Sequence, residues 1–271
     1  CIGKIVEWKD PNRNPIGEIT AVLGNVGDNN TEMHAILAEY GLPYTYPEEV
    51  EKAADEISDV ITNEEIANRL DFRGTTTFTI DPKDAKDFDD ALSFKVIGNG
   101  KYEIGVHIAD VSYYVQEKSI IDDEAYNRAT SIYLVDRTIP MLPEKLCNNL
   151  CSLKPNEDKL AYSVIFQMND DAKVLDYIIR RTVINSDQRL CYEEAQEIIE
   201  QQRANTDVEK AIVKLNKLAE NLRAKRFDEG AIAFERVEAA FEIDEKGKPL
   251  RVFFKESKEA NKLIEEFMLL A

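Results

Sequence analysis

Residues 77–92 read TFTIDPKDAKDFDDAL and hold five aspartates in the ten positions from Asp81 to Asp90. Phe78 and Ile80 alternate with threonines, which is the period-2 pattern of a β-strand, and Pro82 then removes a backbone donor and ends it. A second strand-like run begins at position 91. We therefore predict that the aspartates occupy a strand end and the loop that follows. Carboxylates gathered so closely repel one another, so folding either raises their pKa values or recruits a cation.

The composition is that of a globular protein with an acidic surface. The 271 residues are 44% hydrophobic, enough for one large domain or two smaller ones, and the formal net charge is −18. This charge argues against a protein that grips nucleic acid with its whole surface, because phosphate contacts come from lysine and arginine. A metal-centred nuclease stays compatible with it, since an acidic site accounts for part of the excess.

From the sequence we expect neither a targeting signal nor a disulfide. A membrane span needs about 18 consecutive apolar residues, the N-terminus lacks the basic-then-apolar pattern of a signal peptide, and we expect a cytoplasmic protein without a membrane partner. Four cysteines do not make a disulfide framework, so no disulfide-linked partner is expected. Cys147 and Cys151 lack a nearby histidine or further cysteine to complete a zinc site.

The order of the elements predicts an α+β fold with a mixed, mainly antiparallel sheet flanked by helices. Residues 2–23 have the pattern of short antiparallel strands, and a polar helical connector covers 42–70. An Asn99-Gly100 pair between two strand-like runs predicts a β-hairpin directly after the aspartate loop. Because the chain starts at Cys1 and stops within a helical pattern, we expect a fragment of a longer protein.

The aspartate spacing favours a hard divalent metal but leaves a solvated acidic loop open as the alternative. An EF-hand calcium loop counted from Asp84 fails, since its sixth position is Asp89 instead of glycine and its twelfth is Lys95 instead of glutamate. Ligands that are all oxygen favour Mg²⁺, or Mn²⁺, over zinc.

The aspartate motif resembles the signature of the ribonuclease II/ribonuclease R (RNB) family of 3′-to-5′ exoribonucleases. Further segments resemble the same catalytic domain in the same order: VHIADVS at 106–112, IPMLP at 139–143, LCSL at 150–153 and AN-x-LIEE at 260–266. The upstream segments NPIGE at 14–18 and TEMHAI at 31–36 resemble the end of the cold-shock domain and the linker of ribonuclease R. The resemblance implies three parts: residues 1–41 as the end of an OB-type cold-shock domain, 42–70 as a helical linker, and 71–271 as the N-terminal portion of the catalytic domain.

The resemblance also implies a function and its residues. The expected activity is Mg²⁺-dependent hydrolysis of single-stranded RNA from its 3′ end to nucleoside 5′-monophosphates by a two-metal mechanism. The implied metal-binding and catalytic residues are the aspartates, with Asp89 the one whose loss most damages turnover: Asp81, Asp87, Asp89 and Asp90. The implied substrate-binding residues are two aromatics that stack on bases and a glutamate near the terminal nucleotide: Tyr133, Phe234 and Glu265.

Two other functions are alternatives to the exoribonuclease. Family members carry a further catalytic portion with an arginine-rich segment and a C-terminal RNA-binding domain, neither of which these residues include. A non-catalytic RNA-binding or scaffold fragment is therefore the alternative. A metal-dependent phosphatase acting on small esters is disfavoured by the cold-shock-like N-terminal stretch.

Overall fold

A seven-stranded sheet forms the centre of the computed structural model, which describes residues 1–232, 238–244 and 249–271. The strands in these residues are β1 Ile2–Glu7, β2 Ile16–Ala21, β3 Leu70–Asp71, β4 Thr77–Asp81, β5 Asp90–Gly98, β6 Lys101–Ala109, β7 Ile132–Tyr133, β8 Thr138–Ile139, β9 Asp158–Asn169, β10 Val174–Asn185, β11 Gln188–Cys191, β12 Glu238–Ile243 and β13 Pro249–Lys255. The helices are α1 Asn29–Glu39, α2 Glu48–Asp55, α3 Asn63–Ala67, α4 Val111–Tyr114, α5 Ile120–Arg128, α6 Tyr192–Gln201, α7 Asp207–Asp228 and α8 Glu259–Leu270, and a π-helical turn covers Leu146–Leu150.

The central sheet has the order β11-β4-β5-β6-β9-β10-β3. Adjacent strands in this sheet are antiparallel, except for the two edge pairs, β11 with β4 and β3 with β10, which are parallel. The predicted α+β class with a mixed, mainly antiparallel sheet is therefore confirmed. Three separate hairpins complete the strands: β1–β2, β7–β8 and β12–β13.

Both faces of the central sheet are covered, because its strands bury alternate residues on opposite sides. Leu92 of β5 belongs to a core shared with α6, α7 and α8, whereas Ala91 beside it belongs to a core shared with α2, α5 and the π-helical turn. The same division on β9 separates Phe166 from Ile165. Two layers of cover hold the strands firmly, so strand ends at the edge of these layers give a rigid base for a site.

Local signals explain most elements. The β5–β6 turn places Gly98, Asn99 and Gly100 at positive φ, which glycine and asparagine tolerate, so the predicted hairpin is confirmed. Thr62 caps α3 by accepting a hydrogen bond from the backbone amide of Glu65, as its capping-box sequence predicts.

One local expectation differs from the structure: the helical connector predicted over 42–70 ends in a strand, since Leu70–Asp71 pairs with β10 of the central sheet. The strand that contains Tyr133 is only two residues long, because the amide of Leu134 turns back to the carbonyl of Arg137. Ile232 lies in no strand, and residues 233–237 are outside the described residues.

None of the helices in the described ranges has the length and apolarity that crossing a membrane requires.

Candidate metal centre

The aspartates lie where two neighbouring strands separate. Phe78 of β4 pairs with Leu92 of β5, and beyond this pair β4 ends at Asp81 while β5 begins at Asp90. The intervening loop, residues 82–89, closes the gap between the strands. Asp81 is buried, with 6% of its surface exposed, and Asp90 is half-buried. The expected placement on a strand end and the following loop is confirmed.

Backbone hydrogen bonds and one serine hold the far half of this loop. The hydroxyl of the buried Ser152 donates to the carbonyl of Lys86 at 3.0 Å and accepts from the amide of Phe88 at 3.1 Å. The amide of Leu153 donates to the carbonyl of Phe88, and the amide of Ala109 donates to the carbonyl of Asp89. The loop backbone is therefore fixed by groups that leave the carboxylates free.

Arg189 of β11 holds the first part of the aspartate loop, next to β4. Its Nη2 atom donates to the carbonyls of Pro82 at 2.5 Å and Lys83 at 3.0 Å, and its guanidinium lies 5.4 Å from the centre of the Phe88 ring. β11 runs parallel to β4 with Cys191 opposite Asp81, which brings this arginine beside the loop. Its positive charge lowers the pKa of Asp81 but does not offset the effects that raise it.

Asp81, Asp89 and Asp90 have raised pKa values because they are desolvated and lie close to other carboxylates. Burial raises the pKa of Asp81 to about 7, and the charges of Asp90 and Asp87 add to this, while the Thr79 hydroxyl opposes it. Burial and then the charge of Asp89 raise the pKa of Asp90 to about 6. Partial desolvation and then the charge of Asp87 raise the pKa of Asp89, although that side chain stays open to solvent on one side. These charge effects join the four predicted aspartates pair by pair: Asp81 with Asp90 and Asp87, Asp90 with Asp89, and Asp89 with Asp87.

Two carboxylate oxygens here lack a partner. Oδ2 of Asp81 and Oδ2 of Asp90 are buried without a hydrogen bond, and no lysine or arginine in the described ranges forms an ion pair with any of the four aspartates. Buried acceptors are normally satisfied, so orphaned ones call for a cation or a proton. The donor set, oxygen only, fits a hard divalent metal. Within the described part of the chain, no three acidic, histidine or cysteine side chains already stand in a closed coordination cluster, so binding requires side-chain rotation.

Tyr133 lies beside this centre. It belongs to the β7–β8 hairpin and is 72% exposed, and after desolvation the charges of Asp87 and Asp89 raise its pKa. Its hydroxyl is close to the hydroxyl of Ser131, which lowers the pKa. An exposed ring next to the aspartates is available for stacking, in contrast to the core position that an aromatic in a strand usually takes.

The roles of the other two predicted substrate-binding residues stay predictions. Phe234 lies outside the described residues. Glu265 is on α8, where its carboxylate is 3.6 Å from Nη2 of Arg226, and the described contacts do not connect it to the loop. Its proposed proximity to a terminal nucleotide stays a prediction.

Sequence reasoning missed Arg189, Ser152 and Tyr192. Tyr192 begins α6 directly after β11; burial and then the charges of Asp90 and Asp81 raise its pKa to about 12, so its hydroxyl faces the same carboxylates. β11 has four residues, too few for a clear alternation, and its partner strand lies far away in the sequence.

His107 has a structural role in the core. It is fully buried in β6, and its ring nitrogens lie 2.7 Å from the hydroxyl of Ser163 and 2.8 Å from that of Ser93. Burial lowers its pKa to about 3, so it stays neutral at physiological pH.

Comparison with known proteins gives two domain matches. Residues 69–271 match the RNB domain, and residues 2–47 match a cold shock domain. The chain is 39% identical over 288 residues to DIS3-like exonuclease 2 of Xenopus tropicalis, covering 100% of this chain and 34% of the relative. It is 38% identical over 276 residues to ribonuclease R of Thermotoga maritima, covering 100% of this chain and 39% of the relative.

Solved structures share both sequence and fold with the chain. Ribonuclease R of Mycoplasma genitalium in complex with ribose-methylated single-stranded RNA, for example, superposes with a TM-score of 0.90 at 29% identity, over 99% of this chain and 42% of that one. The chain thus spans 34% to 42% of the length of these three proteins.

Proposed function

The chain belongs to the family of proteins that contain an RNB domain, and on that premise we propose that the protein degrades single-stranded RNA hydrolytically from the 3′ end. The proposed products are nucleoside 5′-monophosphates. The observation that carries this proposal is the pair of buried, unpartnered carboxylate oxygens on Asp81 and Asp90, beside an exposed aromatic ring. Polyanionic RNA needs cations at the point of cleavage, and an acidic centre supplies them by binding metal.

We assign the metal site to Asp81, Asp87, Asp89 and Asp90, with Mg²⁺ as the ion and Mn²⁺ as its substitute. Bound divalent ions supply charge stabilisation for the attacking and leaving oxygens of an in-line displacement at phosphorus. Four carboxylates match the charge of two such ions, in keeping with a two-metal mechanism. Hydrogen bonds from Ser152 and Arg189 fix the backbone of the loop, so the carboxylates stay near one another despite their repulsion.

The reaction joins a water oxygen to the terminal phosphorus and breaks the bond from phosphorus to the 3′ oxygen of the preceding nucleotide. That oxygen takes a proton and becomes the new 3′ hydroxyl, and a 5′-monophosphate leaves. Tyr133 stacks on the terminal base; stacking tolerates every base, which suits degradation of any sequence. Asp89 is the carboxylate that the family resemblance singles out for turnover; it is exposed, and after desolvation and the charge of Asp87 its charge contributes to the raised pKa of Tyr133.

Phe234 and Glu265 enter the proposal through the family resemblance alone, as a second stacking ring and as a contact near the terminal nucleotide. Residues 1–41 act as part of a cold-shock module that binds the RNA strand, 42–70 as the linker, and 71–271 as the portion that carries the metal centre. Solved structures of the Mycoplasma genitalium relative in complex with ribose-methylated single-stranded RNA and with double-stranded RNA support RNA as the substrate. We propose a cytoplasmic location.

The test is Asp89→Asn in the complete protein, with Asp84→Asn as the matched control. Both substitutions remove one carboxylate from the same loop, but Asp84 is exposed and outside the assigned centre. A 5′-labelled oligoribonucleotide is incubated with Mg²⁺, the shortened labelled products are resolved by electrophoresis, and the unlabelled mononucleotides that are released are identified by chromatography. We expect Asp89→Asn to reduce turnover by at least 100-fold, within the range for loss of one electrostatic catalytic group, and Asp84→Asn to reduce it less than threefold.

Equal turnover in wild type and Asp89→Asn refutes the catalytic assignment. Wild-type protein that binds the oligoribonucleotide in Mg²⁺ without shortening it supports the scaffold alternative instead. Release of the 5′-terminal labelled nucleotide first refutes the 3′-to-5′ direction.

A further inference from the structure

The hairpin that presents Tyr133 is weak by itself. Its strands, β7 and β8, have two residues each and form a sheet separate from the central one. An isolated two-stranded hairpin is marginally stable even when it is longer. The direction of the exposed Tyr133 ring therefore depends on whatever holds the two ends of the hairpin.

Tyr46 holds both of these ends. It lies between α1 and α2, upstream of the catalytic region. Its hydroxyl donates to the carbonyl of Pro140, the residue that follows β8. The guanidinium of Arg128, which ends α5 four residues before Ile132, lies 3.6 Å from the centre of the Tyr46 ring. One side chain thus contacts the chain just before the hairpin and just after it.

Arg128 is itself fixed. Its side chain is 2% exposed; Nε donates to Glu124 at 2.8 Å and Nη2 donates to the carbonyl of Thr45 at 2.6 Å. A buried guanidinium with these partners cannot move without losing them. The Tyr46 ring therefore rests on a rigid surface, and its hydroxyl transmits that position to Pro140.

The tip of the hairpin has a second contact with the N-terminal segment. The side-chain amide of Asn29, at the start of α1, donates to Asp136 at 2.9 Å, and Asp136 is also bound by Arg137. The upstream segment therefore contacts the hairpin at its base and at its tip, on both sides of Tyr133.

We propose that Tyr46 is a positioning residue for Tyr133, through which the segment upstream of the RNB domain sets the stacking geometry at the RNA 3′ end. Tyr46 does not touch the substrate in this proposal; it acts on the hairpin. The inference rests on the proposed role of Tyr133. The ring of Tyr46 also packs against the core that includes Leu142 and Leu146, so removing the whole side chain would disturb folding.

Tyr46→Phe isolates the hydroxyl, since it keeps the ring, its packing and its contact with Arg128. The assay measures binding of an oligoribonucleotide with 2-aminopurine at the 3′ terminus to the complete protein in EDTA, where stacking quenches the fluorescence. We expect weaker quenching and a three- to tenfold higher Kd, the range for loss of one neutral hydrogen bond. In Mg²⁺ assays the same factor should appear in KM, with kcat changed less than twofold.

Three variants make the result decisive. Tyr44→Phe, two residues earlier with its ring stacked on His34, should leave quenching unchanged. Asn29→Ala, which breaks the tip contact without touching the core, should weaken quenching in the same direction. Adding Tyr46→Phe to a Tyr133→Ala protein should change neither quenching nor Kd further, because the two residues act in one path.

The proposal is overturned by quenching that is unchanged in Tyr46→Phe, whatever Asn29→Ala does. It is also overturned by a Tyr46→Phe effect that persists undiminished in the Tyr133→Ala background. Because binding is measured in EDTA, these results do not depend on the Asp89→Asn turnover assay. The quenching assay can support or overturn the role of Tyr46 even if the protein proves not to be a nuclease.

Discussion

Asp81→Asn should stabilise the metal-free chain at alkaline pH while abolishing its stabilisation by metal. Asp81 is buried beside two other carboxylates and has a pKa of about 7 in place of 3.8. This difference corresponds to about 4 kcal/mol, and solvent screening at the loop lowers the expected effect to about 2 to 4 kcal/mol. An asparagine has nearly the same shape without the charge, so the folded state loses the repulsion and keeps its packing.

The sign follows from the direction of the pKa change. Because folding raises the pKa of Asp81, the folded state binds a proton more tightly than the unfolded state, and the free energy of unfolding falls as the pH rises from 3.8 through about 7. At pH 5 the folded carboxyl is protonated but the unfolded one is mostly ionised, so about a third of the penalty is already present. At pH 8 it is ionised and the penalty is complete. The wild type should therefore lose about 2 kcal/mol between pH 5 and pH 8 from this group.

The assay is urea unfolding followed by circular dichroism at pH 5 and pH 8, in EDTA and in Mn²⁺. In EDTA at pH 8, Asp81→Asn should unfold at higher urea than wild type, and the difference between the two should be smaller at pH 5. Mn²⁺ should stabilise wild type at pH 8 and leave the variant unchanged. Asp84→Asn, exposed in the same loop, serves as the control and should retain the Mn²⁺ effect. A variant less stable than wild type in EDTA at pH 8 refutes the reasoning.

Two further substitutions test how the centre is supported. Ser152→Ala removes both hydrogen bonds that the fully buried Ser152 hydroxyl makes with the loop. We expect the free energy of unfolding in urea to fall by about 1 to 3 kcal/mol and Mn²⁺ to bind more weakly in a fluorescence or calorimetric titration. Unaltered Mn²⁺ affinity would contradict the role given to the loop contacts. His107→Ala leaves the hydroxyls of Ser163 and Ser93 without their imidazole partner in the core. We expect the free energy of unfolding to fall by about 2 to 4 kcal/mol, while the pH dependence of RNA degradation between pH 5.5 and 8 stays the same. Loss of a titration step from that profile would place His107 in the reaction.

Local sequence signals predicted the part of the fold that local chemistry determines. Alternation at Phe78 and Ile80, the break at Pro82 and the Asn99-Gly100 pair gave β4, the aspartate loop and the β5–β6 hairpin in their observed positions. The edge strands β3 and β11 were missed. They have two and four residues, and what defines them is parallel pairing with strands that are distant in the sequence.

The same limit applies to the candidate site. The density of aspartates was visible in one continuous stretch, as were their repulsion and their suitability for a hard metal. Arg189, Ser152 and Tyr192 reach the loop from elements separated from it by many residues, and no periodicity marks them. Tyr133 was identified only through the family resemblance; its exposure beside Asp87 and Asp89 is a property of the folded hairpin.

The way the loop is held bears on what a metal must do here. Hydrogen bonds to the carbonyls of Pro82, Lys86, Phe88 and Asp89 fix the backbone without using a carboxylate. Repulsion among the acidic side chains can therefore be relieved only by rotation or protonation, because the backbone beneath them is constrained. A divalent ion then has to reorient side chains and need not fold the loop, so little conformational entropy opposes its binding. Weakening the backbone contacts should reduce metal affinity even when every carboxylate is present, which makes Ser152 as informative about this centre as the aspartates.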